Sequence, residues 1–406
     1  MPEEAVLKHA KFIFLISFFI LISALPAQYL PLASPESTGM DSRRLSLLDE
    51  VIKKSIEKGD IPGAVVTVVK DFKVIYKKAY GNRQLLPHKE SMTLNTIFDM
   101  ASLTKPMVTA TTLMQLIDDG KVRLLDTVEH YLPSFTGITD STGIKKPIRI
   151  IHLLTHSSGL PAYAHPDMLE KEFGKKDKQT LFHYIDSVPR LYPPGTKFKY
   201  SGLNFITLQR IIEQVTSAPL PEYAEKHIFK PLGMQDTGYR LSSARIKRCA
   251  PTELLANGTL LRGTVHDPMA RVVMGGLSSN AGLFSTAKDI AVFAAMMLNR
   301  GSWNAVRILS PAAVHTMTHI PKSFENTGRG LGWDLNSAYA SNQGDMLSAQ
   351  AYGHTGYTGT SLVIDPKNNL AIILLTNRVH PHDKGHVVRL RSLVANIVAS
   401  ALINYR

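Results

Sequence analysis

Three serines stand three residues ahead of a lysine: Ser55 with Lys58, Ser102 with Lys105, and Ser285 with Lys288. A serine hydroxyl is a weak nucleophile at neutral pH and needs a base beside it. On a helix, positions i and i+3 share a face, so the lysine amine can reach the serine oxygen. The pattern is short, and its surroundings decide among the three. Ser55 and Lys58 lie at the polar end of an amphipathic stretch and read as solvated surface. Ser285 and Lys288 read as helix-capping chemistry. Ser102 and Lys105 sit in Phe98-Asp-Met-Ala-Ser-Leu-Thr-Lys-Pro106. Proline fits best near the start of a helix. Ser102 is therefore expected at a helix N-terminus, where the dipole favours developing negative charge. Ser102 is the candidate nucleophile for acyl transfer, and Lys105 its base.

Two further segments carry usable chemistry. Tyr200, in Lys199-Tyr-Ser-Gly-Leu-Asn204, stands just before a helix that Ser201 can cap. Gly353-His-Thr-Gly-Tyr-Thr-Gly359 packs three glycines into seven residues on the approach to a strand. Glycine there lets a backbone come close to a ligand.

The elements that must hold these residues are legible from periodicity. Leu45, Leu48, Ile52 and Ile56 fall on one helical face, opened by Asp41 or Ser42 and closed by Gly59. Ala64 to Val69 and Val74 to Tyr80, across a turn at 71–73, read as a hairpin. Residues 102–119 read as a helix ending at Gly120, and 203–215 as another. Thr286 and Asp289 open a helix over 287–299 in capping-box spacing. Strands are expected at 331–335, 361–364 and 370–376, and a last helix at about 386–402. Strands at both chain ends imply one sheet built from both, with a helical lobe inserted between.

With 406 residues, 44% of them apolar and 19% charged, the chain can bury a sizeable core, which excludes a mainly disordered protein. The single cysteine, Cys249, excludes an internal disulfide framework and a cysteine-rich zinc site; it reads as a small buried residue. The net charge of +13 favours anionic surroundings. Its lysines and arginines are dispersed, without a basic aromatic platform, so no nucleic-acid partner is expected. Residues 12–25 form an unbroken apolar run behind Lys8 and Lys11, with a small residue at Ala27. This reads as a signal peptide over residues 1–27, hence an exported, periplasmic or extracellular protein. The alternative is an uncleaved anchor at 12–25, the only case in which a membrane contact is expected.

Taken together and in this order, Ser102-x-x-Lys105, Tyr200 and His354-Thr355-Gly356 resemble the serine β-lactamase and penicillin-binding-protein superfamily. Pro62-Gly-Ala-Val-Val66, Leu153-Leu-Thr-His-Ser-Ser-Gly-Leu160 and Ala281-Gly-Leu-Phe-Ser285 are similar to recurrent segments of its class C-like branch. A narrower likeness, carried by Ala250-Pro-Thr-Glu253, Val265-His-Asp267 and Thr376-Asn-Arg-Val-His-Pro381, is to muramoyl-alanine amidases and a D-alanyl carboxypeptidase-like penicillin-binding protein. The resemblance implies an α/β fold: an antiparallel sheet flanked by helices, plus an inserted all-helical lobe. One catalytic domain then spans 36–400, its α/β lobe at about 36–110 and 260–406 and its helical lobe at about 111–259. It implies Ser102, Lys105 and Tyr200 as catalytic residues. The backbone N–H groups of Ser102 and Tyr357 form the oxyanion hole, and His354, Thr355, Gly356 and Tyr357 line the substrate, with no metal or cofactor.

Two residues depart from the family pattern. His354 stands where the family has lysine, as in its esterase- and peptidase-like members. Gly202 stands where an asparagine normally bonds the substrate amide; Asn204 is the candidate replacement. The expected activity is cleavage of an amide in wall-derived muropeptides or D-amino-acid peptides. The alternatives are a carboxylesterase, a weak β-lactamase, or a binding or sensor protein that does not turn over. Among the remaining residues, His152 and His156 read as structural. His380, His382 and His386 could bind metal but read as histidines near a strand end, and no metal is expected. His266 with Asp267 either lines the cleft or orients a loop.

Overall fold

Gly63–Lys70 (β1) is buried along its whole length. Val65 and Val69 pack toward one side of it; Ala64, Val66 and Val68 pack toward the other. A strand covered on both faces needs apolar residues at every position, which is why this run reads as continuous rather than alternating. Asp71 and Phe72, at φ +48° and +60°, form the two-residue turn into Lys73–Gln84 (β2). Both central residues at positive φ is the turn geometry that matches strand twist. Glu90–Ser91 (β3) adds the outer edge. From the far end of the chain come Tyr352–Thr355 (β4), Ser361–Asp365 (β5) and Leu370–Thr376 (β6). The order is β4-β5-β6-β1-β2-β3, with antiparallel pairing throughout and Ala64 opposite Thr376. Both chain ends therefore build one sheet, as the sequence implied. The computed structural model describes residues 29–139, 143–337, 339 and 342–405. The apolar segment at 12–25 and the cleavage point after Ala27 lie outside them.

Two helices cover one face: Ser42–Glu57 (α1), capped by Asp41, and Val388–Ser400 (α4). Leu45, Leu48 and Ile52 of α1 and Val394 and Val398 of α4 pack there against Val66, Val68 and Leu374. The other face carries Ala287–Leu298 (α3), capped by Thr286, and the helical layer that includes Gly202–Thr216 (α2). The stretch between the strands of the sheet carries helices joined by loops, and also the two-residue antiparallel ladders Phe98–Asp99 with Phe284–Ser285, Ile138–Thr139 with Lys145–Lys146, and Ser302–Trp303 with Val306–Arg307. Among the described residues no helix is long and apolar enough to cross a membrane.

Three local expectations need correction. Residues 331–335 do not form a strand. Gly332 turns at φ +82°, and only Asp334 bridges to Gly353. The apolar pattern there reflects burial of Leu331 and Trp333 in a turn. Ser55 is not solvated: it is 5% exposed, and its hydroxyl points to Asp60. Ser285 does not cap the helix that follows it. It lies on a strand and bonds the Thr237 hydroxyl, while Thr286 takes the cap.

Candidate active site

Ser102 sits in a 3₁₀ turn, Ala101–Leu103, that leaves the short strand Phe98–Asp99. The helical stretch expected from 102 to 119 is continuous but not uniform. Lys105–Ala110 is π-helical and Thr111–Asp118 α-helical. Pro106 is tolerated in the first turn, and Thr111 reaches the Pro106 carbonyl five residues back through both its N–H and its hydroxyl, which is the wide π spacing. Ala101 is held at φ +46°, a costly conformation for a residue with a Cβ. The restraint is Asp99: one carboxylate oxygen accepts from Ala101 N–H at 2.8 Å, the other from His266 N–H at 2.7 Å. The turn thus presents Ser102 outward while Lys105 points in.

Lys105 is 1% exposed. Its Nζ lies 3.2 Å from Ser102 Oγ and 2.8 Å from the Asn280 carbonyl oxygen. Burial lowers its pKa to about 7; the charge of Asp267 opposes this and that of Arg329 adds to it. The amine is therefore a usable base near neutral pH.

Tyr200 is placed by the segment ahead of α2. Lys199 N–H donates to the His156 carbonyl, and Ser201 N–H donates to His156 Nδ1. Ser201 does not cap α2 with its side chain; its hydroxyl bonds the Pro161 carbonyl. The Tyr200 ring lies between His156, at 4.4 Å, and Tyr339, stacked at 4.9 Å. Burial pushes its pKa up to about 12, with the neighbouring Ser102 hydroxyl opposing, so it is a neutral phenol. His156 is a buried support, held neutral chiefly by its burial.

The glycine-rich segment closes the site. Thr358 Oγ1 donates to the Asp99 carbonyl and Thr360 Oγ1 to that of Met100, at 2.7 and 3.1 Å. A Cβ at Gly356 would lie 2.1 Å from Thr360 Oγ1 and 2.6 Å from the Met100 oxygen. Only glycine permits that approach. The turn from Gly356 to Gly359 is closed by Gly359 N–H on the Gly356 carbonyl at 3.1 Å. Among the described residues neither Ser102 N–H nor Tyr357 N–H has a hydrogen-bond partner. Two backbone donors are thus left free on the two turns that Gly356 brings into contact.

The structure brings Ser102, Lys105 and Tyr200 together and sets Gly356 against the Met100–Ala101 turn, with the exposed Tyr357 next in the chain and Thr355 half-buried before it. Two expected substrate contacts it does not bring to an open surface. His354 is 3% exposed, behind the Tyr200 ring; Nδ1 bonds the Thr355 carbonyl, and Nε2 is buried without a partner. Its pKa is held well below the usual range by burial, so it is not a cation replacing lysine. Asn204 is fully buried, with one end on Ser158 and the other on His156. Its position one turn into α2 directs it to the interior, so it does not replace the side chain missing at 202.

Asn280 does reach that space. Its Nδ2 lies 3.5 Å from where a Cβ at Gly202 would stand, and its Oδ1 is held by the Ser278 hydroxyl. Sequence reading passed over Asn280, which stands in a polar turn without a distinguishing pattern. It also passed over Arg329, 1% exposed and paired with Asp334 at 2.7 Å, and Arg391. Arg391 did leave a signal, a charge on the apolar stripe formed by Leu390, Val394 and Val398.

His266 stacks on the Tyr357 ring at 5.6 Å and lies 3.1 Å from Glu253, so it borders the site. Asp267 accepts from Ala270 N–H and the Tyr163 hydroxyl, so it also fixes its loop. His380 Nε2 accepts from Leu85 N–H and is spent structurally. Cys249 is fully buried, as expected.

Residues 48–396 match the beta-lactamase family. A Salmonella agona protein named "Putative D-alanyl-D-alanine carboxypeptidase" is 36% identical over 392 residues, covering 90% of each chain. Among solved structures, EstCE1, described as a hydrolase with promiscuous acyltransferase activity, superposes with a TM-score of 0.71 at 24% identity, over 88% of this chain and 99% of that one. A penicillin-binding protein homologue from Pyrococcus abyssi gives 0.66 at 22% identity, over 88% and 77%.

Proposed function

Because the chain belongs to the beta-lactamase family and is a serine hydrolase, we propose that it cleaves amides of wall-derived muropeptides or D-amino-acid peptides through an acyl-enzyme on Ser102. The observation that carries this reading is the buried Lys105 amine, 3.2 Å from Ser102 Oγ, with a pKa of about 7. Ser102 Oγ attacks the carbonyl carbon, and its proton passes to Lys105 Nζ. The oxyanion sits between the Ser102 and Tyr357 N–H groups. As the intermediate collapses the C–N bond breaks, and the leaving amine takes a proton from the Tyr200 hydroxyl, which Lys105 reprotonates. Water then attacks the ester by the reverse route. An amide needs this protonated leaving group more than an ester does, and the neutral Tyr200 phenol favours the amide reading. Asn280 Nδ2, beside the space that a side chain at Gly202 would fill, is the nearest amide donor to that position, and this weighs against a protein that acylates without turning over.

The name of the Salmonella relative supports D-alanyl peptides as the substrate class. Export, suggested by residues 12–25, would place the protein where such peptides occur. A small-ester hydrolase is the second reading, since the neutral His354 offers no cation to a substrate carboxylate. The test is a screen of purified protein against muramoyl peptides, D-alanyl peptides, p-nitrophenyl esters and nitrocefin, run with Ser102→Ala and Asn280→Ala beside the native chain. Peptide turnover that disappears in Ser102→Ala, with a mass-spectrometric adduct on Ser102, is the expected outcome. Nitrocefin turnover far above the rest, or an adduct elsewhere, would overturn it.

A further inference from the structure

Arg391 projects from α4 into the protein and is 7% exposed. Its Nη2 donates to the Gly356 carbonyl at 2.7 Å and to the Thr360 carbonyl at 2.9 Å. Its Nε is buried without a partner. Burial lowers its pKa to about 9, followed by the charge of Arg378, with Tyr339 opposing; among the described residues no carboxylate forms an ion pair with it. It remains a cation at neutral pH. A buried cation without a counter-ion is destabilising. The acceptor it has chosen is informative. The Gly356 carbonyl and the Tyr357 N–H belong to one planar, conjugated peptide unit. A guanidinium on the oxygen draws electron density from the nitrogen and makes its N–H a stronger donor.

We propose that Arg391 is a positioning residue for the oxyanion hole: it polarises the Gly356–Tyr357 peptide and supplies the positive potential that offsets the oxyanion formed on Ser102 attack. The second bond, to Thr360, fixes the far end of the same turn, so the peptide cannot rotate its N–H away. The inference rests on the reading of Tyr357 N–H as an oxyanion donor. Arg391 touches no substrate, so its effect falls on the transition state rather than on substrate binding.

The test uses p-nitrophenyl acetate turnover and the infrared carbonyl stretch of the ¹³C-labelled acyl-enzyme, in the native chain, Arg391→Gln and Arg391→Lys. Arg391→Gln should lower kcat by roughly 10- to 100-fold, with KM within about threefold, because one donor is weakened rather than removed. Its carbonyl stretch should rise toward that of the ester in water. Arg391→Lys keeps the charge and should fall between the two; if the glutamine variant does not fold, the lysine variant decides on the same stretch. A kcat unchanged in the folded variant, or an acyl stretch that stays at its native position, overturns the role of Arg391. If the native acyl-enzyme itself shows no lowered stretch, the oxyanion reading of Tyr357 fails, and this inference with it.

Discussion

At neutral pH a large share of Lys105 amines carry no proton, since burial holds the pKa at about 7 against the pull of Asp267. A base acts only in its unprotonated form, so kcat/KM should rise with pH and level off above about 7, falling tenfold per unit below it. Tyr200, at about 12, stays protonated across this range and should not limit the alkaline side. Asp267→Asn removes the charge that favours the lysine proton while keeping an acceptor for Ala270 N–H. The acid limb should then move to lower pH, by up to about one unit. A pH profile of ester hydrolysis checks this, and a limb that moves upward would refute Lys105 as the base. Ser102→Ala should cost roughly 10⁴-fold or more in turnover. Ser55→Ala and Ser285→Ala should leave turnover intact, with stability reduced by about 1 kcal/mol where a buried bond is lost.

The elements around the serine act through backbone contacts. The turn after β4 lies on the turn that carries Ser102, and the spacing is set by Gly356, whose missing Cβ leaves room for the Met100 carbonyl. Gly356→Ala cannot be absorbed by a flexible side chain alone, because one of the crowded atoms is backbone. It should push Met100 and Ala101 away and carry Ser102 with them. The expected result is a fall in kcat of at least tenfold, since misplacement of about 1 Å costs up to about 100-fold. Stability should fall by about 1–3 kcal/mol. Steady-state kinetics and thermal unfolding on the same preparation measure both. Native-like kcat in Gly356→Ala would mean that the two turns are not coupled.

Across the molecule the two faces of the sheet differ in their duties, with Arg391 of α4 reaching from the sealed face to the turn after β4. The α1 and α4 layer seals one face, and the layer with α2 and α3 holds the chemistry on the other. Ile52 is fully buried in the first and Phe205 in the second, where the Lys105 Nζ lies 5.6 Å from the ring centre. Ile52→Ala should cost about 2–5 kcal/mol in urea unfolding, with kcat/KM of the folded protein unchanged. Phe205→Ala should cost about 3–5 kcal/mol and also lower kcat, because the packing that desolvates Lys105 is lost. Equal kinetic effects from the two would show that the faces are not separable.

The sequence by itself determined the double-sided apolar runs of β1, β5 and β6, the hairpin turn, the helix faces of α1 and α2, and the spacing of Ser102 and Lys105. Each of these is written in local spacing or in side-chain type, while Tyr200 entered through the family resemblance. Arg391 was also visible in principle, as a charge on an apolar stripe, but its acceptors are carbonyl oxygens 31 and 35 residues away. Tertiary structure alone decided that Asn280 fills the space beside Gly202, 175 residues from the Lys105 that its carbonyl holds. It also decided that Asn204 and His354 turn inward, and that Leu331–Leu335 is a turn rather than a strand. Backbone carbonyls carry no residue-specific signature, and a polar side chain has the same spacing whether it faces the cleft or the core. Those outcomes depend on which distant segments pack together, a choice made by burial of the whole sheet and not by any window of the chain.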